Sequence, residues 1–241
     1  MSPIIASNPG TDKVLVGALI AMTAATGVVD AVSFLSLGRI FTANMTGNVV
    51  LLAFATARVP GLSVRRSGTA LVLFLAGAIL GGRIMSRARA DSQIRFATLA
   101  FALETAFLLT ATLCAIGYRG DLLEDSFQPF ALIALTALAM GTRNAAVRKL
   151  AIPDLTTTVL TLTITGLGAD SSLADGSNPR WQRRVASLLA MFAGAALGAI
   201  VVRHTVLGAL ALAAGLSAAS SAALLSSTLW IRTAQAPIRG N

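Results

Sequence analysis

Phe41-Thr42-Ala43-Asn44-Met45-Thr46-Gly47-Asn48 is the stretch on which the fold of this chain turns. Four polar side chains and a glycine stand there between two long apolar runs. A bilayer core holds no water to satisfy amides and hydroxyls, so such a segment persists only where protein buries it or where it lines a wet cavity. About half a chain later comes a Thr-rich counterpart, Asp154-Leu155-Thr156-Thr157-Thr158-Val159-Leu160-Thr161. The two stretches together make the two faces of one expected site.

Composition explains why a bilayer is the relevant solvent. Of 241 residues, 55% are hydrophobic and only 12% are charged. Several runs approach the ~20 residues that cross ~30 Å of hydrocarbon. Eight apolar segments follow, over 14–37, 44–57, 67–85, 96–118, 130–147, 155–167, 185–202 and 206–230. Residues 1–13 and 231–241 are polar tails, which leaves 14–230 as a single transmembrane domain. The first apolar run is too long for a signal-peptide core and lacks a small-residue cleavage site, so it is expected to be retained. The net charge of +9 comes from arginines in short loops, without the basic, aromatic-interleaved patch that nucleic acid requires. That charge sets topology and faces anionic lipid. A single cysteine, Cys114, excludes an intramolecular disulfide and a Cys-based metal site.

An internal repeat divides the domain into halves at about 14–118 and 129–230. Gly27-Val28-Val29-Asp30-Ala31 aligns with Gly141-Thr142-Arg143-Asn144-Ala145 at an offset of 114, and the two polar stretches align at nearly the same offset. Leu75-Ala76-Gly77-Ala78-Ile79-Leu80-Gly81 aligns with Phe192-Ala193-Gly194-Ala195-Ala196-Leu197-Gly198 at 117. If all eight segments span, lysines and arginines divide 10 to 9, with no bias. If the second and sixth are broken or re-entrant, the division is 13 inside to 6 outside, with both termini inside. The positive-inside rule favours the second arrangement. Three spanning helices per half make the repeat inverted, as in transporters with interrupted helices at the midplane. The expected fold is therefore an all-α, polytopic helical bundle of six spanning helices and two short polar segments. A six- or eight-helix bundle with complete short spans is the plainer alternative.

Gly27 to Asp30, followed by the F-x-A-N-x-T-G-N pattern from Phe41 to Asn48, resembles the signature of the YoaK-like family of bacterial inner-membrane proteins. The similarity extends from about Val14 to Leu229. The resemblance implies a bacterial cytoplasmic-membrane setting and a fold kinship. It implies no activity, because the family is one of unknown function.

Candidate functional residues are the polar groups that lie deep in apolar sequence. Asp30 and Glu104 are the only carboxylates well inside long runs. A charge at the bilayer centre costs at least ~2.5–3.5 kcal/mol, so such acids usually pair or work. Asp30 is the candidate for coupling to a proton or a cation, and Glu104 is a second. The plainer role for either is an ion pair with Arg143. Arg143 in turn could snorkel to the inner interface from near its helix end. Thr42, Asn44, Thr46 and Asn48, with Asn144, offer carbonyls and hydroxyls to a solute or ion, or else tie a broken helix to its neighbours. Thr156, Thr157, Thr158 and Thr161 are less specific, since threonine satisfies itself on its own helix. His204 stands alone beside Arg203, and no HExxH, GxSxG, Walker A or dinucleotide fingerprint occurs.

These features point to a carrier or channel-like protein for a small solute or ion in the bacterial inner membrane, with no cofactor and no metal. The lipid bilayer is its surrounding partner, nucleic acid is excluded, and a homo-oligomer stays open. An intramembrane enzyme using Asp30 and Glu104 as an acid/base pair, and a membrane scaffold, are the competing expectations.

Overall fold

In a computed structural model, the chain is described over residues 9–89, 92–118, 120, 127–152, 157 and 160–235. Those residues form eight α-helices and one 3₁₀ turn: α1 (Pro9–Ser36), α2 (Met45–Thr56), α3 (Val64–Ser86), α4 (Gln93–Cys114), α5 (Phe127–Leu150), α6 (Leu160–Ala169), α7 (Trp181–Val202) and α8 (Val206–Gln235), with the turn at Ser172–Ala174. Six of the helices are long and apolar enough to cross a membrane, all except α2 and α6. α2 has 12 residues and α6 has 10. At 1.5 Å per residue, neither spans the ~30 Å of a hydrocarbon core.

Boundaries differ from expectation chiefly at the N-terminus. α1 begins at Pro9, not at residue 14, because proline's missing N–H costs nothing in a first helical turn. At its other end Gly38 takes φ 97°, and the Arg39 amide reaches back to the Phe34 carbonyl at 3.2 Å. That six-to-one bond is the glycine-dependent helix stop. It turns the chain back toward the polar motif.

Two buried clusters give the helix directions. The first gathers Val28, Val29 and Val32 of α1, Ala70 of α3, Leu108 and Ala111 of α4, Leu132 and Ile133 of α5, and Val206 to Ala214 of α8. The second gathers Leu15 to Met22 of α1, Ile84 and Met85 of α3, Ala97 to Phe101 of α4, Ala146 to Leu150 of α5, and Leu224 of α8. Thus α1 and α4 run one way, while α3, α5 and α8 run the other. α1 ends, and α3 begins, at the same end of the bundle. α2 therefore returns to the side it came from.

Glycine decides which helices approach most closely. A Cβ on Gly77 would meet the Leu138 carbonyl and one on Gly81 the Thr142 carbonyl, while one on Gly141 would meet the Phe74 carbonyl; these contacts draw α3 onto α5. Gly194 sits against the Ala24 carbonyl, Gly198 against Val28, and Gly27 against the Met191 carbonyl, which draws α7 onto α1. Adding 114 or 117 to the first-half residues converts one set of contacts into the other. Each half thus packs on the other by the same contacts, and α1–α8 packing likewise mirrors α5–α4 packing. Both GxxxG pairs are spent inside the chain. Lipid tails are as apolar as leucine, so backbone proximity and dispersion, not water exclusion, hold such helices together. Val72, Leu75 and Ile79 of α3, with Leu189, Phe192, Leu197 and Ile200 of α7, project outward as an apolar surface suited to lipid.

Candidate functional site

Arg143, on α5, is fully buried and is the hub of the polar interior. Its Nη1 donates to Glu104 Oε1 of α4 at 2.9 Å and to the Met22 carbonyl of α1 at 3.0 Å. Its Nη2 donates to the Thr26 hydroxyl and lies 3.0 Å from Met140 Sδ. The Glu104–Arg143 ion pair has both side chains at 0% exposure. Arg143 therefore does not snorkel: a helix-end arginine of this reach finds a carboxylate on the neighbouring helix before it finds the interface. The plainer expectation for Glu104, pairing with Arg143, is what the structure has.

Asp30, on α1, is buried one turn beyond Thr26. The Ala43 backbone amide donates to its carboxylate, and the charge of Arg143 also acts on it. Its Oδ1 has no hydrogen-bond partner among the described residues. Within this interior one guanidinium thus faces two carboxylates. Glu104 neutralises Arg143, and Asp30 is the acid left over.

The polar motif is divided: Thr42 and Asn48 are buried, whereas Asn44 and Thr46 are exposed. Asn44 caps α2, its Oδ1 accepting from the Gly47 amide at 3.3 Å. Asn48 is fully buried and accepts from the Phe41 amide at 3.1 Å through Oδ1, whereas its Nδ2 lacks a partner among the described residues. Thr42 is buried with its hydroxyl unpartnered among the same residues. In the second half Thr157 is buried, and its carbonyl lies 3.0 Å from the Thr26 hydroxyl. The two polar stretches accordingly dock on α1 four residues apart, one at Thr26 and the other at Asp30. Thr161 is exposed and does not join this cluster. Thr156 and Thr158 lie outside the described residues.

A cavity of about 680 Å³ opens beside the cluster. Ala43, Asn44 and Thr46 line it from the polar motif, Phe74, Ala78 and Gly82 from α3, and Asn144, Arg148 and Lys149 from α5. Asp30 accepts from the backbone amide of Ala43, a residue that lines it. Sequence reasoning missed Thr26, although its spacing of four from Asp30 puts both on one helix face. It also took Arg148 and Lys149 only as topology charges, where the structure sets them against the cavity.

Six membrane-length helices, an outward apolar surface and a buried polar interior define a polytopic integral membrane protein. The family model described as "Protein of unknown function (DUF1275)" matches residues 18–223, and the chain belongs to that family. It is 39% identical over 155 residues to the UPF0700 transmembrane protein YoaK of Bacillus subtilis (strain 168). That match covers 64% of this chain and 65% of the relative's length. The YoaK-like resemblance of the Asp30 and Phe41–Asn48 pattern is thereby borne out. No solved structure matches the chain.

Proposed function

We propose that the protein is a carrier of a small solute in the bacterial cytoplasmic membrane, driven by a proton or monovalent cation that Asp30 takes up. The observation that carries this is a buried acid with one oxygen unpartnered among the described residues, bound to the amide of a residue that lines the cavity. A charge surplus in a low-dielectric interior is expensive, so Asp30 holds a proton or a cation whenever the interior is closed. Releasing it would leave a carboxylate that holds the Ala43 amide more tightly, and Ala43 is one of the residues lining the cavity.

The architecture supports the same conclusion. α2 and α6 each interrupt a half of three spanning helices, and the glycine contacts of the halves interconvert, as inverted repeats around a midplane site require. Both termini and the 87–95 loop are assigned to the cytoplasm. With Arg143 withdrawn into the core, the charge bias still stands at twelve against six. The cavity, lying toward the C-terminal ends of α3 and α5, opens to that side. An acid/base enzyme has less support, because Glu104 spends Oε1 on Arg143 and is sealed from the cavity.

Reconstitution into liposomes tests the proposal. Solute should accumulate only under an imposed proton or sodium gradient. Turnover of a substrate in detergent, where no gradient exists, would replace the carrier with an enzyme. A stable co-purifying partner with no flux would replace it with a scaffold.

A further inference from the structure

We infer that the cavity beside α2 takes an amphipathic anion, a carboxylate or phosphate head on a short apolar body; this rests on the carrier reading for its consequence, though not for its binding chemistry. The volume of about 680 Å³ lies within the range of pockets that enclose small ligands. Two cations, Arg148 and Lys149, stand among its described lining residues, and none of those residues is acidic. Both cations are exposed, which places them where they can attract an anion from water before it enters.

The start of α2 adds helix amides to the lining. α2 starts at Met45, and Met45 and Thr46 both line the cavity. The first amides of a helix have no carbonyl one turn back to bond. Asn44 satisfies the Gly47 amide, the Ala43 amide is taken by Asp30, and no acid occupies the first turn of α2. Met45 and Thr46 thus bring the positive end of the α2 dipole to the cavity wall, and Asp30, held on the Ala43 amide, is not among the residues lining it. Asn144, half-buried, lines the cavity from α5, its Nδ2 donating to the Met140 carbonyl.

The walls between are apolar. Phe74, Ala78, Val147 and Ile152 would cover a hydrocarbon or ring several carbons long. Inorganic phosphate or chloride would leave those walls wet, and a neutral alcohol would leave the cations and helix amides without an acceptor. A head and a body are both needed.

Two sources could supply that chemistry: a water-soluble carboxylate, or an anionic lipid headgroup entering from the cytoplasmic leaflet. Equilibrium dialysis of radiolabelled hexanoate against the detergent-solubilised protein tests the site, with hexanol and inorganic phosphate as controls. Hexanoate should bind, and both controls should bind far more weakly. Losing a charge-assisted contact costs about tenfold or more, so Arg148→Gln with Lys149→Gln should weaken hexanoate by at least that factor. Both positions are exposed, so the variant keeps its fold; circular dichroism and gel filtration check this. A second variant, Ala78→Phe, fills the wall and should exclude hexanoate while leaving the cations in place. Repeating the titration in nanodiscs with and without phosphatidylglycerol separates the sources, since displacement assigns the site to lipid and its absence to a free carboxylate; either result sustains the anion. Hexanol binding as tightly as hexanoate, or binding unchanged in both variants, overturns the inference. Hexanoate that binds while its impermeant analogue hexanesulfonate is never accumulated by proteoliposomes leaves the site standing and removes the carrier. Gradient-driven flux of another solute without hexanoate binding does the reverse.

Discussion

Replacing Arg143 by methionine should destabilise the protein more than replacing Arg143 and Glu104 together. Nη1 and Oε1 stand 2.9 Å apart, and neither side chain has any exposure. At the effective dielectric that suits buried protein sites, two unit charges about 4 Å apart attract by about 4 kcal/mol. Removing the guanidinium alone strands Glu104 in a fully buried site and breaks the bonds to Met22 and Thr26 as well. Breaking one side of such a pair typically costs about 3–5 kcal/mol. In Arg143→Met with Glu104→Gln both substituted side chains are neutral and close in volume to the originals, so the part of that loss due to a stranded Glu104 should return. The coupling energy between the two positions should be about 2 kcal/mol or more, well above the few tenths expected of independent sites. Unfolding of wild type, both singles and the double variant, followed by circular dichroism during titration of SDS into mixed micelles, measures the cycle. Additive single-variant losses would show that the ion pair does not organise the core.

Three further outcomes follow from the packing. Gly141→Leu should separate α3 from α5, because a Cβ there meets the Phe74 carbonyl; overpacking costs about 1–3 kcal/mol or more, and Gly27→Leu should match it at the mirrored contact, both read as loss of folded protein after detergent extraction. In a Cys114→Ala background, Thr26→Cys and Thr157→Cys should be joined by a short bifunctional methanethiosulfonate, since the Thr26 hydroxyl donates to the Thr157 backbone carbonyl at 3.0 Å; failure to cross-link would detach the second polar stretch from α1. In the same background Arg87→Cys should react with an impermeant maleimide only from the cytoplasmic side, and labelling of intact cells from outside would invert the topology.

Much of the helix order was legible because apolar length is a local property. The 14–37, 67–85 and 185–202 runs reappear as α1, α3 and α7 with ends extended by a few residues. The short second and sixth segments stood out by the same criterion, and the repeat offsets of 114 and 117 foretold which glycines would carry equivalent contacts. Partner choice was not legible. Glu104 and Arg143 are 39 residues apart on separate helices, and nothing local tells whether Arg143 takes Glu104, takes Asp30 or reaches the interface. The role of Ala43 was hidden for a different reason: its backbone amide, not its side chain, meets Asp30. Arg148 and Lys149 look in sequence like any helix-end cations, because the cavity beside them is made by α2 and α3.

The carrier proposal is tested most directly by comparing uphill accumulation with passive exchange in proteoliposomes that contain wild type or Asp30→Asn. The amide keeps the volume of the acid and can still accept from Ala43, but it cannot cycle a proton or balance a cation. With labelled hexanesulfonate as the probe, an amphipathic anion that does not cross the bilayer as a neutral acid, wild type should concentrate solute under an inward proton or sodium gradient and should also exchange internal for external label without one. Asp30→Asn, folded and inserted, should retain exchange and lose accumulation. Accumulation by Asp30→Asn equal to that of wild type would contradict the account.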